Sequence, residues 1–181
     1  MNNYQNIIDK YYIDFKKAKN ILITHGKLVC DKALLISQNK PELKIDEYFI
    51  EQASMLHDIG IFLTNAPEIG CYGSFPYICH GYLGRELLEK EKMEKAALVA
   101  ERHTGTGLSM NDIICQNLPL PHRDMLPLSI EEQLICFADK FFSKKKELSK
   151  EKTVSEIRKK MRKHGEEQLL RFDNWCKLFL L

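Results

Sequence analysis

The chain lacks several features that would place it in a specialised class of protein. Among its 181 residues, no apolar run approaches the roughly 20 residues that a membrane-spanning helix needs. Its first five residues contain neither a basic cluster nor an apolar stretch, so they do not resemble a secretory signal. Lysine and arginine total 27 against 25 aspartates and glutamates, which is not the balance of a protein that coats nucleic acid or anionic lipid. These absences predict a cytoplasmic protein with neither a membrane nor a nucleic-acid partner.

Cysteine is present, but its pattern does not indicate a disulfide framework. The six cysteines include no C-x-x-C pair, and five of them lie in stretches that we interpret as helical or apolar. Because no other feature indicates secretion, we expect reduced thiols that are mostly buried as small apolar side chains.

Apolar residues recur at intervals of three and four along most of the chain, and no stretch alternates convincingly with the period of a strand. The pattern predicts an all-α fold of one domain with an additional C-terminal helix. Residues 61–79 show no periodicity and are predicted to form a long loop. Helices are predicted over approximately residues 4–19, 20–38 with Asn20 as the N-cap, 46–58, 80–90, 93–103, 110–116, 129–142 and 153–179. The last of these is predicted to begin with a capping box of Thr153 and Glu156.

A set of histidines and aspartates lies at or near the ends of separate predicted helices. A single histidine on a helix is weak support for a metal site, but a bundle can bring several helix ends to one centre. Imidazole and carboxylate are ligands of Fe, Mn, Ni, Co, Zn and Mg. The residues are His25, His57, Asp58, His80, His103 and Asp139.

The run Met55–Gly60 reads MLHDIG and resembles the HDIG signature of the HD superfamily of metal-dependent phosphohydrolases. The order of the six residues is similar to the H…HD…H…H…D pattern of its two-metal members, such as the symmetrical diadenosine-tetraphosphate hydrolases. The match covers about residues 20–145. The resemblance implies one HD domain over residues 1–181, an all-α helical bundle with a basic helical extension at about 146–181.

The resemblance also implies a ligand set and a reaction. His25, His57, Asp58 and Asp139 would hold one divalent metal ion, and Asp58 would bridge to a second ion completed by His80 and His103. The metals would be Fe, Mn, Ni or Co, Mg or Zn. Two such ions activate a bridging water for attack on phosphorus. The implied catalytic residues are Asp58, His80 and His103. The implied enzyme hydrolyses a phosphoric ester or anhydride in a small phosphorylated substrate, a nucleotide or dinucleoside polyphosphate.

Each metal-binding imidazole also needs a partner for its other ring nitrogen, which fixes the orientation of the ring. The sequence offers Glu101, Asp124 or backbone carbonyls for this role.

One position departs from the pattern. Many HD proteins carry a lysine directly after the motif, where it can contact phosphate, but this chain has Ile61. Another cation is then expected to bind the substrate, and Arg123 is favoured because it lies in a non-helical stretch. The candidates are Arg102, Arg123, Lys140 and Lys144. The two remaining histidines, His122 and His164, match nothing in the pattern and are interpreted as surface residues.

The C-terminal part is strongly basic and ends in apolar residues. Residues 140–163 contain eleven lysines and arginines and only three acidic residues. This charge either steers an anionic substrate or is the solvated face of an amphipathic helix. The apolar residues Trp175, Leu178, Phe179 and Leu180 either cover the core or form the interface of a homodimer.

Two other functions remain open at this point. Some HD-fold proteins use a mixed-valent iron pair as a di-iron oxygenase, and the ligand set alone discriminates poorly between the two reactions. A non-catalytic nucleotide-sensing HD module is the third possibility, and it would be favoured by a missing ligand. All six ligand positions are present in this chain.

Overall fold

The computed structural model describes residues 3–145 and 147–181, which form a bundle of helices and confirm the predicted all-α class. The first two residues and the predicted start of the extension at residue 146 lie outside the described residues. The helices are α1 (Asn3–Tyr11), α2 (Lys16–Asn39), α3 (Glu47–Leu56), α4 (His80–Lys90), α5 (Glu94–Arg102), α6 (Met110–Cys115), α7 (Ile130–Asp139), α8 (Val154–His164) and α9 (Glu166–Leu180). No helix in this part of the chain has the length and hydropathy to cross a membrane.

The junction of α1 and α2 differs from the prediction, because α2 begins earlier and Asn20 lies inside it. Tyr12, directly after α1, is fully buried and donates a hydrogen bond from Oη to the carbonyl oxygen of Ile59 at 2.8 Å. The rings of Tyr12 and Phe15 pack against Phe62, with centroids 5.0 and 5.2 Å away. This aromatic packing between distant segments breaks the helical pattern, which local periodicity cannot show.

The predicted loop contains short regular pieces. The strands β1 (Asn65–Ala66) and β2 (Cys71–Tyr72) pair antiparallel, with Asn65 opposite Tyr72. Single turns of 3-10 helix lie before, between and after them. The cysteines are free, and five of the six are buried, as predicted, with Cys115 exposed.

The C-terminal segment forms two helices where one was predicted. The predicted capping box at Thr153 is confirmed, because its side chain and that of Glu156 bond each other's backbone N–H groups. Gly165, whose φ is 127°, separates α8 from α9. On α9, Trp175 and Phe179 are buried and cover the core, whereas Leu178 and Leu180 are exposed.

The turn after α3 lies directly against the start of α4. A Cβ added at Gly60 would lie 2.3 Å from the carbonyl oxygen of His80 and 2.6 Å from the amide nitrogen of Gly84. Only a residue without a side chain permits this approach, which brings His80 close to the end of α3.

We therefore expect Gly60→Ala to lower the free energy of unfolding by about 2 kcal/mol, because the backbones must separate to admit the methyl group. Gly84→Ala is a matched control on the same contact, where the new Cβ meets its nearest neighbours at 3.4 Å. Alanine is the better helix former by about 1 kcal/mol, so this variant should equal or exceed wild-type stability. Urea denaturation measures both, and equal stability of the two variants would contradict the packing argument.

Candidate metal centre

Five helices bring the predicted ligands together in the interior, and five of the six ligands lie at helix ends. His25 comes from the middle of α2, while His57 and Asp58 follow the last residue of α3. The other three stand at the first residue of α4, directly after α5 and at the last residue of α7, and are His80, His103 and Asp139. All six residues are buried. Such helix ends can aim side chains inward without breaking the helical hydrogen bonds.

Asp58 lies at the middle of the cluster and uses its two carboxylate oxygens on opposite sides. Its Oδ2 is 3.5 Å from Nε2 of His25 and 3.1 Å from Nε2 of His57. Its Oδ1 is 3.4 Å from Nε2 of His80 and 3.3 Å from Nε2 of His103. One oxygen therefore faces each histidine pair, which is the arrangement that a bridging carboxylate requires.

Asp139 completes the first of these two groups. Its Oδ1 is 2.8 Å from Nε2 of His25 and 3.7 Å from Nε2 of His57. The second group consists of Asp58, His80 and His103, and one ligand atom from each of these residues lies within 4.8 Å of the others, as is also true of His25, His57 and Asp58. The structure thus separates the six residues into the same two sets that the sequence pattern implied.

Three of the histidines are held in one orientation by the backbone. The Nδ1–H groups of His57, His80 and His103 each donate to the carbonyl oxygen of the residue three positions earlier. The acceptors are Ser54 at 2.6 Å, Tyr77 at 2.7 Å and Ala100 at 2.8 Å. A proton on Nδ1 leaves Nε2 with a lone pair that points into the cluster, as in a metal-binding imidazole.

Backbone carbonyls were one of the predicted partners for these ring nitrogens, and the two predicted carboxylates have other roles. Glu101 is buried and forms ion pairs with Arg85 and Arg123. Asp124 accepts a hydrogen bond from the backbone N–H of Met110 at 2.7 Å. Helical i−3 carbonyls supply the orientation locally, so no distant side chain is needed.

The two histidines of the second group face each other in a way that favours a bound cation. Their Nε2 atoms are 3.1 Å apart, and both rings already commit Nδ1–H to a carbonyl. Two lone pairs at this distance repel unless a positive charge lies near both. The buried Oδ1 of Asp58 and Nε2 of His57 also form no hydrogen bond within the described residues. Unsatisfied buried acceptors of this kind fit a divalent metal.

The electrostatics favour metal-binding protonation states at the proposed ligands except His57, whose second proton a bound ion would have to displace. Burial, reinforced by a neighbouring cation or imidazole, lowers the pKa of His25 to about 4 and that of His80 to about 3, which favours neutral imidazole. Burial also lowers the pKa of His57, but the carboxylates of Asp58 and Asp139 outweigh it and raise the value to about 9. Burial raises the pKa of the Asp58 carboxyl, yet His57 and Lys144 hold it well below its usual range. The carboxylates are therefore ionised, as ligation requires.

Two of the four predicted cations lie at the centre. Lys144 Nζ is 2.7 Å from Asp58 Oδ2, and Lys140 Nζ is 2.8 Å from Asp139 Oδ2. Lys140 also donates to the carbonyl oxygen of His103 at 3.0 Å. Both ammonium groups enter from the segment that follows α7.

The two predicted arginines do not reach the centre. Arg102 pairs with Glu132 at 2.9 Å, and Arg123, the favoured candidate, pairs with buried Glu101 at 2.5 Å. The non-helical stretch around Arg123 packs against α5, so the guanidinium is engaged there. Neither arginine lines the cavity beside the ligands.

That cavity, about 450 Å³ in volume, opens beside His80, His103 and Asp139. Its lysines are Lys140, Lys144 and Lys160, and His164 also lines it. A smaller adjoining cavity of about 220 Å³ adds Lys145 and Lys152. The sequence analysis did not predict that residues of α8 line these cavities. The spacing of Ile157, Met161 and His164, which puts them on one face of the helix, was a signal for it.

Comparison with known proteins finds related sequences. The chain is 29% identical over 163 residues to an uncharacterized protein of Methanocaldococcus jannaschii, covering 84% of this chain and 89% of that protein. It is 30% identical over 129 residues to a tRNA (cytidine(56)-2'-O)-methyltransferase of Picrophilus torridus, and 27% identical over 144 residues to the enzyme of that name from Thermoplasma volcanium. These matches cover 71% and 79% of this chain but only 33% and 38% of the enzymes. No family model and no solved structure matches the chain.

These names contradict the predicted function. Both of these relatives whose names state an activity are methyltransferases. The prediction of a phosphohydrolase, an enzyme that hydrolyses phosphoric esters or anhydrides, is therefore corrected by the comparison. The di-iron oxygenase and the nucleotide-sensing module find no support in these names either. A ligand set indicates where a metal binds but does not identify the reaction, since one fold serves many chemistries. The resemblance to the HD superfamily stays a prediction that rests on the six residues.

The expected partners are corrected as well. The two methyltransferases act on tRNA, which contradicts the prediction of a small phosphorylated substrate and no nucleic-acid partner. The prediction rested on the net charge of +2 of the whole chain, although residues 140–163 alone contain eleven lysines and arginines and three acidic residues. Such a concentration creates a local positive field whatever the net charge of the chain.

We expect Arg123→Gln to lower the free energy of unfolding by about 1 kcal/mol, because buried Glu101 loses one of its two guanidinium partners. Metal uptake should stay at the wild-type level, since Arg123 does not line the cavity. Arg158→Gln, which removes an exposed ion pair with Asp173, is the control and should change stability by less. Loss of metal at unchanged stability in Arg123→Gln would contradict this assignment.

Proposed function

We propose that this chain is a helical domain that binds two divalent metal ions, contacts tRNA through the lysines around them, and serves 2'-O-methylation of tRNA. The observation that carries the metal centre is the facing pair His80 and His103, whose Nε2 atoms lie 3.1 Å apart and 3.4 and 3.3 Å from Oδ1 of Asp58, an oxygen that forms no hydrogen bond within the described residues. The tRNA partner rests on the names of the two methyltransferases.

The donor set indicates which metals the centre would hold. Four imidazole nitrogens and two carboxylates are a mixed set that suits borderline ions such as Mn, Fe, Co, Ni or Zn better than Mg, which prefers oxygen alone. His25, His57, Asp58 and Asp139 would hold one ion, and Asp58, His80 and His103 the other. Bound there, the ions would supply concentrated positive charge that holds anionic oxygens such as those of an RNA phosphate.

The lysines around the centre support the RNA part of the proposal. Lys140 and Lys144 pair with the carboxylates of the centre, whereas Lys145 and Lys160 are exposed at the cavities, where Lys145 forms a solvent-exposed ion pair with Glu68 at 2.6 Å. Ammonium groups at a cavity mouth bind backbone phosphates without reading sequence. The chain spans only a third to two fifths of the methyltransferases' length, so we assign it a supporting role of metal and RNA binding within that reaction.

The wild-type chain is expected to bind two Mn²⁺ ions, measured by elemental analysis after dialysis and by calorimetric titration. His80→Gln should reduce the stoichiometry to one, because it removes a ligand from the second group only. Asp58→Asn should lower the affinity for both ions by about 100-fold or more, since this residue belongs to both groups.

Asp31→Asn, an exposed aspartate on the same helix as His25, is the matched control and should keep both ions. Two tightly bound ions in Asp58→Asn would contradict the bridging role. A wild-type chain that takes up no divalent ion under any loading condition would overturn the metal centre itself.

Binding of a tRNA transcript, followed by fluorescence anisotropy at several salt concentrations, tests the second part. We expect Lys145→Gln with Lys160→Gln to weaken binding and to lower the slope of log Kd against log salt by about two, one for each phosphate that is no longer neutralised. Chelator-treated protein should bind more weakly than Mn²⁺-loaded protein, because the ions contribute positive charge to the same face.

Lys90→Gln with Lys177→Gln removes the same charge elsewhere. Lys90 is the last residue of α4, about 15 Å along that helix from His80. Lys177 lies in the last turn of α9. This control should bind tRNA nearly as the wild type does. Equal weakening in both double variants, or no measurable binding by the wild type, would overturn the proposed RNA contact.

A further inference from the structure

The turn that follows His103 has little regular structure of its own. Residues 104–107 read Thr-Gly-Thr-Gly, and Gly105 and Gly107 adopt left-handed φ values of 62° and 89°. Within the turn, the N–H of Gly107 donates to the carbonyl oxygen of Thr104 at 2.9 Å. A glycine-rich segment loses much conformational entropy when it is ordered, so contacts from outside must hold it in place.

Gln168 of α9 supplies those contacts. Its Oε1 accepts hydrogen bonds from the backbone N–H of Thr106 at 2.6 Å and from Thr106 Oγ1 at 2.9 Å. Its Nε2 donates to the carbonyl oxygen of Gly107 at 2.5 Å. Gln168 is itself 3% exposed, so its amide group has exchanged water for the backbone of this turn. A Cβ at Gly105 would lie 2.6 Å from Gln168 Oε1, which shows how closely the amide is seated.

Arg171, one helical turn further along α9, contacts the same segment. Its Nε donates to the carbonyl oxygen of Thr106 at 3.1 Å, and its Nη2 donates to that of Gly107 at 3.1 Å. The other side of the segment is held by Cys136 of α7 and by Lys140 directly after α7, whose Sγ and Nζ lie 3.3 and 3.0 Å from the carbonyl oxygen of His103. The segment that begins at His103 is therefore held between the end of α7 and α9.

We propose that Gln168 and Arg171 are positioning residues for the second metal group, the one formed by Asp58, His80 and His103. The inference deepens the proposed function and rests on it, because it adds to the metal centre a requirement for α9. It also gives α9 a role. This helix belongs to the segment that was predicted to be an extension of the domain, and it would hold the turn after His103 in place. Neither residue contacts the ligand atoms, so each acts through the backbone of the turn.

Gln168→Met keeps the volume of the side chain but removes all three hydrogen bonds to the turn. We expect the affinity of the second Mn²⁺ ion to fall by about tenfold while that of the first is unchanged. Backbone amide exchange at Thr106 and Gly107 should speed up in the same variant, measured by NMR on metal-free protein. Arg171→Gln should show the same two effects at smaller size, and it covers the case in which Gln168→Met does not fold.

Gln133→Met is the matched control. Gln133 also lies between α7 and α9, donating from Nε2 to the carbonyl oxygen of Leu128 at 3.1 Å and accepting from Trp175 Nε1 at 3.0 Å. It has no bond to the turn, so its loss should lower stability without changing the second ion or the exchange of Thr106.

The outcomes separate this inference from the proposed function. Equal loss of the second ion in Gln168→Met and Gln133→Met would overturn the positioning role, because general destabilisation would then explain both. Unchanged exchange at Thr106 in Gln168→Met would overturn it whether or not metal binds. A wild-type chain that binds no metal would refute the proposed function, while the exchange measurement still decides whether α9 holds the turn.

Discussion

Asp58 is a carboxylate with no access to water that lies among four imidazoles, and the helices around it are arranged to satisfy it. An ionised carboxylate in an apolar interior is costly unless opposite charge is close. His57, Lys144 and the other histidines supply that environment, and Asp58 in turn holds its neighbours at 3.1 to 3.5 Å. The close approach at Gly60 follows from this requirement, since only a glycine lets α4 bring His80 to the second carboxylate oxygen.

Hydrogen bonds to nearby groups fix the orientation of the imidazole rings. A histidine near a helix end can donate Nδ1–H to the carbonyl of the residue three positions earlier. His57, His80 and His103 all do so. Each ring thereby gains a defined tautomer. His25, from the middle of α2, has no such carbonyl, and its Nε2 is instead held 2.8 Å from Asp139.

The sequence could predict those parts of the molecule that local chemistry controls. The helical class, the start of α4 at His80 and the capping box at Thr153 all follow from residues close in sequence. The convergence of the six candidate ligands was predictable because their order in the sequence matches the pattern of the resemblance. The position of the Arg123 side chain was not predictable, because it depends on an ion pair with Glu101, which is distant in sequence but adjacent in the fold. The predicted boundary between α1 and α2 was wrong for the same reason, since the boundary depends on the packing of Tyr12 against Phe62.

The sequence predicts the candidate site more directly than it predicts the reaction. A pair of ligand groups on one aspartate specifies where positive charge can be held, and the lysines of α8 and the preceding segment specify which face presents it. Both features serve any partner that carries phosphate, so the partner must be identified by comparison. The two methyltransferases are named for their action on tRNA, and the proposed partner follows from that name. A helical bundle whose basic face adjoins the proposed metal centre is suited to that role, because the proposed RNA contacts on α8 and the proposed positioning residues on α9 belong to one C-terminal pair of helices.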